Sequence, residues 1–448
     1  MLETLVLAAA LAAPTCVTAV PGASLDTAGD RAAGAVGLVV PDAGPRTSER
    51  RAVESLLRGE VVNSLRDRLP SSPRLLRRCP DSRWKVGVPR GGDQLNDRRY
   101  LLTLEGAHGL LTSTATRIPG LVAIADIAHG RVRVEEDDDP LATLRDLDDR
   151  IRDNGASRLP ASVLAALIVV ALALWRPRAA VSALATGALT NLLLSVLGVS
   201  SPWLAIPAIA LGTAAGLLVP TTGALLAGTI ALYGLAMAIE PAWVALSPLG
   251  PTQNARFHGI SNLLETMLLP VALASGALLW RRHGTAGLAV AAAIALVTVA
   301  GSRFGADAGG AVVLMAGFAV LAVSLLPYRT ALWALGALVV VTALALVLGP
   351  STHLGAADLP GDLWDRVVLS WERATDGVGV GLVTAAAMVT LVVLVWRWPP
   401  RPLPLAMAAA IVASMVVNDS PQDVALGGLV GWLALARWDD LAPVPFRR

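Results

Sequence analysis

The chain changes texture near residue 158. Before it, apolar residues come in short bursts between charges. After it, they run in long blocks broken by arginine, proline or glycine. In the first part, residues 35–40 are an apolar run closed by Pro41, the pattern of a buried strand and a loop. Residues 49–66 set Val53, Leu56, Leu57, Val61 and Leu65 on one helical face. Residues 100–104 and 120–127 read as strands, the second ending at Asp126. Residues 135–139 are an acidic run, and 141–151 alternate charge with leucine as a solvated helix does. Strand and helix alternate, which predicts a small α/β domain over residues 21–158.

Residues 2–20 are apolar apart from Glu3 and lack a basic n-region. They read as a signal peptide or a signal anchor over 1–20, and either would export the domain that follows. From Pro160 the apolar blocks are 160–175, 180–198, 203–219, 222–239, 262–280, 286–301, 309–326, 331–348, 379–396, 403–417 and 423–436. They predict a mainly α fold: a polytopic helical membrane bundle over 159–438, with about 11 spans plus the N-terminal anchor. Residues 439–448 would be a cytoplasmic tail. Arg176, Arg178, Arg281, Arg282, Arg329, Arg397, Arg401, Arg437, Arg447 and Arg448 fall in alternate loops. The positive-inside bias makes those loops cytoplasmic and leaves residues 21–158 outside a bacterial inner membrane.

Composition agrees with a membrane chain. Of 448 residues 54% are hydrophobic and 16% charged, against about 25% charged in soluble domains; the mean hydropathy is +0.61. A net charge of +2, with arginines scattered along the chain, excludes a nucleic-acid partner. The partners expected are the lipid bilayer, an anionic or lipid-linked small molecule, and envelope proteins meeting residues 21–158. Cys16 falls in the leader, so its pairing with Cys79 in a disulfide framework is not expected.

Polar residues gather in the outward loops. Arg256, His258, Asn262 and Glu265 precede one apolar block, Arg303 and Asp307 the second, Asn418 and Asp419 a third. Part of this is capping chemistry: Asn262 reads as an N-cap with Glu265 as its acidic partner, Asp307 as the cap of the next helix, and Ser420 with Asp423 as a third pair. What remains is a candidate substrate-binding set of Arg256, His258, Asn262, Glu265, Arg303, Asp307, Asn418 and Asp419. Three helix N-termini with two arginines would suit phosphate or carboxylate, and His258 or Glu265 could serve as a base. The loop 349–378 holds a second feature, an amphipathic surface helix at 359–373. No nucleotide-binding loop, cofactor motif or metal site is expected.

Residues 109–128, with their Thr112-Ser113-Thr114-Ala115-Thr116-Arg117-Ile118-Pro119-Gly120-Leu121-Val122 run and Asp126, resemble a segment of the alkaline phosphatase superfamily. Residues 37–42 would then hold its first strand and metal-binding Asp. Only Asp42, His108, Asp126 and His129 are available as ligands, so the resemblance implies a degenerate, inactive domain without metal. The ordered motifs Arg256-Phe257-His258-Gly259-Ile260-Ser261-Asn262, Gly305-Ala306-Asp307-Ala308-Gly309-Gly310 and Asn418-Asp419-Ser420 resemble those of a family of uncharacterised bacterial polytopic membrane proteins. That resemblance implies an envelope protein and no particular activity. Two functions follow as expectations. One is a carrier or flippase for an anionic or lipid-linked substrate. The other is a membrane transferase or hydrolase acting on a lipid-linked precursor at the outer face. A structural, partner-binding role is the third.

Overall fold

The computed structural model describes residues 14–27, 34–41, 46–60, 74–251, 257–301, 304–305, 308–347, 368, 371–372, 375, 377–417 and 421–441. They divide into two compact units, Met1–Asp153 with Pro251–His258, and Asn154–Gly250 with Gly259–Arg448.

The first unit is built on β1 (Cys16–Pro21), β2 (Ala35–Val40), β3 (Arg46–Thr47), α1 (Glu49–Arg58), β4 (Arg77–Arg78), β5 (Trp84–Val88), β6 (Gln94–Leu95), β7 (Tyr100–Leu104), β8 (Leu110–Ser113), β9 (Leu121–Ala123), α2 (Ile124–Ala128) and β10 (Val132–Glu135). Eight strands form one mixed sheet in the order β10-β8-β2-β7-β5-β1-β4, with β9 also on β2; β3 and β6 pair separately. β2 is central, parallel to β8 and β9 and antiparallel to β7. All six of its residues are buried, as its unbroken apolar run requires of a strand covered on both faces. Val39, Leu102, Leu111 and Val122 form a core with Leu56 and Leu57 of α1 and Ile124 and Ile127 of α2. Ser48 caps α1 by accepting from Arg51 N at 3.3 Å, and Gly59 ends it in the left-handed region.

Three expectations change here. The strand read over 120–127 keeps only three residues, and α2 takes over at Ile124. The expected leader over 1–20 overlaps β1, where Val17 and Ala19 point into the core. Cys16 is bonded to Cys79 in a disulfide, with Cα atoms 5.8 Å apart. An apolar run hides a strand as readily as a leader, and the pairing partner is far away in sequence.

The remaining helices are α3 (Pro140–Trp175), α4 (Pro177–Val196), α5 (Pro202–Ala214), α6 (Gly223–Ile239), α7 (Ala242–Ala245), α8 (Asn262–Ala300), α9 (Ala308–Leu325), α10 (Tyr328–Val347), α11 (Val378–Arg397), α12 (Pro402–Val417) and α13 (Pro421–Leu441). α3 joins the charged stretch and the first apolar block in one helix, with Pro160 inside it. The acidic run caps it: Asp139 accepts from Ala142 N at 3.2 Å, and Asp137 accepts from Asp139 N at 2.9 Å and from the Thr143 hydroxyl at 3.0 Å. α8 is interrupted at Gly284, where φ is 62° and ψ −145°.

The expected fold of about 11 spans with a small α/β domain is not what forms. Four helices among the described residues are long and apolar enough to cross a membrane: Pro140–Trp175, Pro177–Val196, Asn262–Ala300 and Val378–Arg397. Others, such as Pro202–Leu217 and Pro402–Val417, are shorter apolar helices. At 1.5 Å per residue, sixteen residues reach about 24 Å, short of the roughly 30 Å hydrocarbon core. The sheet region is also larger than a small appendage, with eight strands in one sheet. Apolar composition predicts where helices form; their length decides which of them can span. Large apolar side chains nevertheless face outward on this unit, among them Trp203, Leu211, Trp333, Val389 and Trp396. An exterior so apolar needs an apolar surrounding.

Candidate functional site

Small residues set the register of four helices in the second unit. Gly427 and Gly431 of α13 pack on Thr266 and Pro270 of α8, one turn for one turn, so these helices run parallel. Gly317 of α9 lies on Leu273, and Gly276 of α8 on Phe318 and Leu321, so α9 runs parallel to α8 as well. Gly428 faces Ile411 and Gly431 faces Met407, which makes α12 antiparallel to α13. The first turns of α8, α9 and α13 and the last turn of α12 are therefore gathered at one end.

The loops there meet directly. Gly259 has φ 79°, and a methyl group on it would overlap the Gly305 carbonyl. Gly305 in turn donates from its N to Thr298 O at 2.9 Å. The N-cap of α8 is Ser261, which accepts from Leu264 N at 3.1 Å and donates to Leu249 O at 2.6 Å. This corrects the expected cap: Asn262 is the first helical residue, and Glu265 lies beyond the N3 position. Hydroxyls cap as well as carboxamides, and Ser261 has the extended backbone a cap needs, φ −74° and ψ 154°.

Beneath the loop 246–250 lies a buried polar network in an apolar setting. Asn191 of α4 donates to Ser247 Oγ at 3.0 Å and to the Tyr233 hydroxyl at 3.2 Å, and accepts from Leu249 N at 2.9 Å. Tyr233 donates to Ala188 O at 2.7 Å. From α3, Asn154 donates to Leu246 O at 2.8 Å and Arg158 to Gly250 O at 3.1 Å. Arg158 also lies within electrostatic reach of Asp423, in the first turn of α13. Glu265 is 4% exposed in the first turns of α8. Glu265, Asp423 and Arg158 thus lie beside three helix N-termini. Sequence reasoning passed over Asn191, Asn154 and Arg158. Their signals were a lone carboxamide inside an apolar helix and two polar side chains one turn apart just before one. Asn191→Leu is expected to cost about 3 kcal/mol, because it orphans the buried Leu249 N–H and removes two further bonds. Thermal unfolding of the full chain in detergent reads this, with Asn191→Gln as the control that keeps both functional groups.

In the first unit, the segment before α8 is anchored from the sheet side. Phe257 is fully buried, and the Arg99 guanidinium stands 5.0 Å from its ring centroid. Burial pushes the Arg99 pKa down to about 10, offset in part by Asp148 and Asp97. His258 is also buried, at 2% exposure.

The predicted set is therefore seen in part. His258, Asn262 and Glu265 are placed as above; Arg256, Arg303, Asp307, Asn418 and Asp419 lie outside the described residues. So do Asp42, Ser420 and nearly all of the expected surface helix at 359–373. The candidate metal ligands that are described do other work. Asp126 is buried, accepts from Ala115 N at 2.9 Å and bonds Ser113. His129 donates from Nε2 to Gly59 O at 3.0 Å, and His108 is exposed. Among the described residues no three His, Cys, Asp or Glu side chains gather as a metal site.

Asp126→Ala is expected to cost about 2 kcal/mol by leaving Ala115 N unpaired. Burial raises the Asp126 pKa above the ordinary 3.8. The group thus favours folding most below pH 3.8 and loses that contribution as pH rises through its folded-state pKa. Asp126→Asn should flatten that part of the stability–pH curve, measured by denaturant titration. No family model, curated protein or solved structure matches the chain.

Proposed function

We propose that this is an integral protein of a bacterial inner membrane that carries or flips an anionic, lipid-linked substrate. The substrate is taken up where α8, α9, α12 and α13 converge. That convergence is the observation that carries the reading. Helix N-termini carry the positive end of the helix dipole, which favours phosphate or carboxylate. Arg158 adds a fixed cation at the same end, while Glu265 and Asp423 serve as its counter-ions or as ligands for a coupled cation.

One feature supports export of the sheet-bearing unit and another an outward orientation for this end of the helical unit. The Cys16–Cys79 bond belongs in an oxidising compartment, and the arginines that mark the opposite loops favour the cytoplasm. The exported sheet then stands outside, available to envelope partners.

The test is translocation. The purified full chain is placed in vesicles of phosphatidylethanolamine and phosphatidylglycerol containing a fluorescent polyprenyl phosphate. A membrane-impermeant quencher should reach the inner-leaflet probe faster with the wild type than in protein-free vesicles. Arg158→Gln or Glu265→Gln should slow that step about tenfold, the loss of one charge-assisted contact worth about 1.4 kcal/mol. Quenching at the protein-free rate would sink the proposal.

A further inference from the structure

We infer that the open groove between α9 and α12 holds one hydrocarbon chain of a membrane lipid. The groove offers about 640 Å³ of space, open on one side, and is lined by residues including Val312, Val320, Leu405, Ala409, Val412 and Val416, with no polar side chain among those that line it. It exists because the helices touch at Gly317, against Ala406 and Ala410, while small residues beside that contact leave space. Val412 and Val416 are about half exposed, so the groove opens sideways onto the apolar exterior.

Chemistry and size narrow the occupant. Water has no hydrogen-bond partner on such walls, and an apolar cavity of this kind stays dry. A peptide segment would leave its backbone groups unsatisfied there. The α12 lining runs from Leu405 to Val417, about 18 Å at 1.5 Å per residue, close to the roughly 15 Å of one leaflet's hydrocarbon. The groove is shallow and open along its side, a shape that a slender flexible chain follows closely. A single extended hydrocarbon chain matches that length, shape and wholly apolar lining. The groove ends at Val417, the end where α8, α9 and α13 begin, so the chain's headgroup would lie beside those helix N-termini. The inference stands on the groove alone and holds whether or not the protein moves a lipid.

The experiment reads binding, not transport. The full chain, in vesicles of phosphatidylethanolamine and phosphatidylglycerol, is irradiated with a phosphatidylglycerol bearing a diazirine in one acyl chain. Labelled peptides are then mapped. Labelling of 312–320 and 405–417 should exceed that of the exposed faces at Leu167, Leu211 and Val389 by about fivefold, the preference of a site roughly 1 kcal/mol better than bulk lipid. Ala409→Trp, which fills the groove, should abolish the excess. Val412→Phe at the open rim should do the same where the tryptophan variant fails to fold. Even labelling over all apolar faces, or an excess that survives both variants, overturns the inference. So does a covalent dimer formed efficiently through Val412→Cys.

Discussion

A chain in which Cys16→Ser and Cys79→Ala are combined should lose about 4 kcal/mol of stability in its sheet-bearing unit. The bond closes a loop of sequence separation 63, and the entropy it removes from the unfolded chain is of that size. The folded state depends on it locally too. It ties β1 to β4, an edge strand of only two residues, Arg77 and Arg78. Two ladder rungs cannot hold that edge by themselves. Thr18 donates to Cys79 O at 3.1 Å and Ser82 to Cys16 O at 2.8 Å, so the edge loosens without dissolving. Denaturant unfolding followed by tryptophan fluorescence, with Trp84 in the adjacent strand, reads the effect. Reductant should move the wild type by the same amount and leave the variant unmoved. A shift below about 1 kcal/mol, together with indifference to reductant, would mean that the thiols are not joined in the native protein, and would remove one support for export.

What could be read from the sequence followed from local rules. The runs at 35–40 and 100–104 are strands because β-branched and leucine residues fill them and turn residues bound them. The helix expected over 49–66 does begin at Glu49, but it ends at Arg58, where Gly59 caps it in the left-handed region; Val61 and Leu65 lie outside the described residues. The apolar blocks after residue 160 are helical where they are described, but composition does not report helix length. Pro160 also reads as a boundary, yet α3 passes through it, since its missing N–H costs one bond in a helix of 36 residues. Pairings distant in sequence were not legible. Nothing local says that Cys16 meets Cys79, or that Asn191 holds a loop near residue 247. The candidate site shows the same split. Its polar residues were visible as a list, but Ser261 displaced Asn262 as the cap. Phe257, read only as part of a motif, turned out to be an anchor under Arg99. The motif around it is therefore in large part structural: an anchored ring, a left-handed glycine, a buried isoleucine and a capping serine.

That motif has one position where a single methyl group should be felt most. Gly259→Ala is expected to cost about 4 kcal/mol. An L-residue in the left-handed region loses about 1–2 kcal/mol, and φ at this position is 79°. The added carbon would also overlap the Gly305 carbonyl, and forcing an atom into a packed site costs about 1–3 kcal/mol more. The carbonyl cannot retreat freely, because its own residue is pinned through Gly305 N to Thr298 O. The α8 and α9 entrances should therefore be pushed apart, disturbing the seat of Thr266 on Gly427 of α13. Gly228→Ala is the matched control: that helical glycine has open space where a methyl would go, and the change should stabilise by up to about 1 kcal/mol. Thermal unfolding of the two variants in the same detergent separates the site-specific cost from a general effect of alanine. If Gly259→Ala costs less than about 1 kcal/mol, the close approach of residues 259 and 305 is not present in the folded protein. The gathered helix entrances would then lose their direct contact, and the proposed binding end would have to be sought elsewhere on the chain.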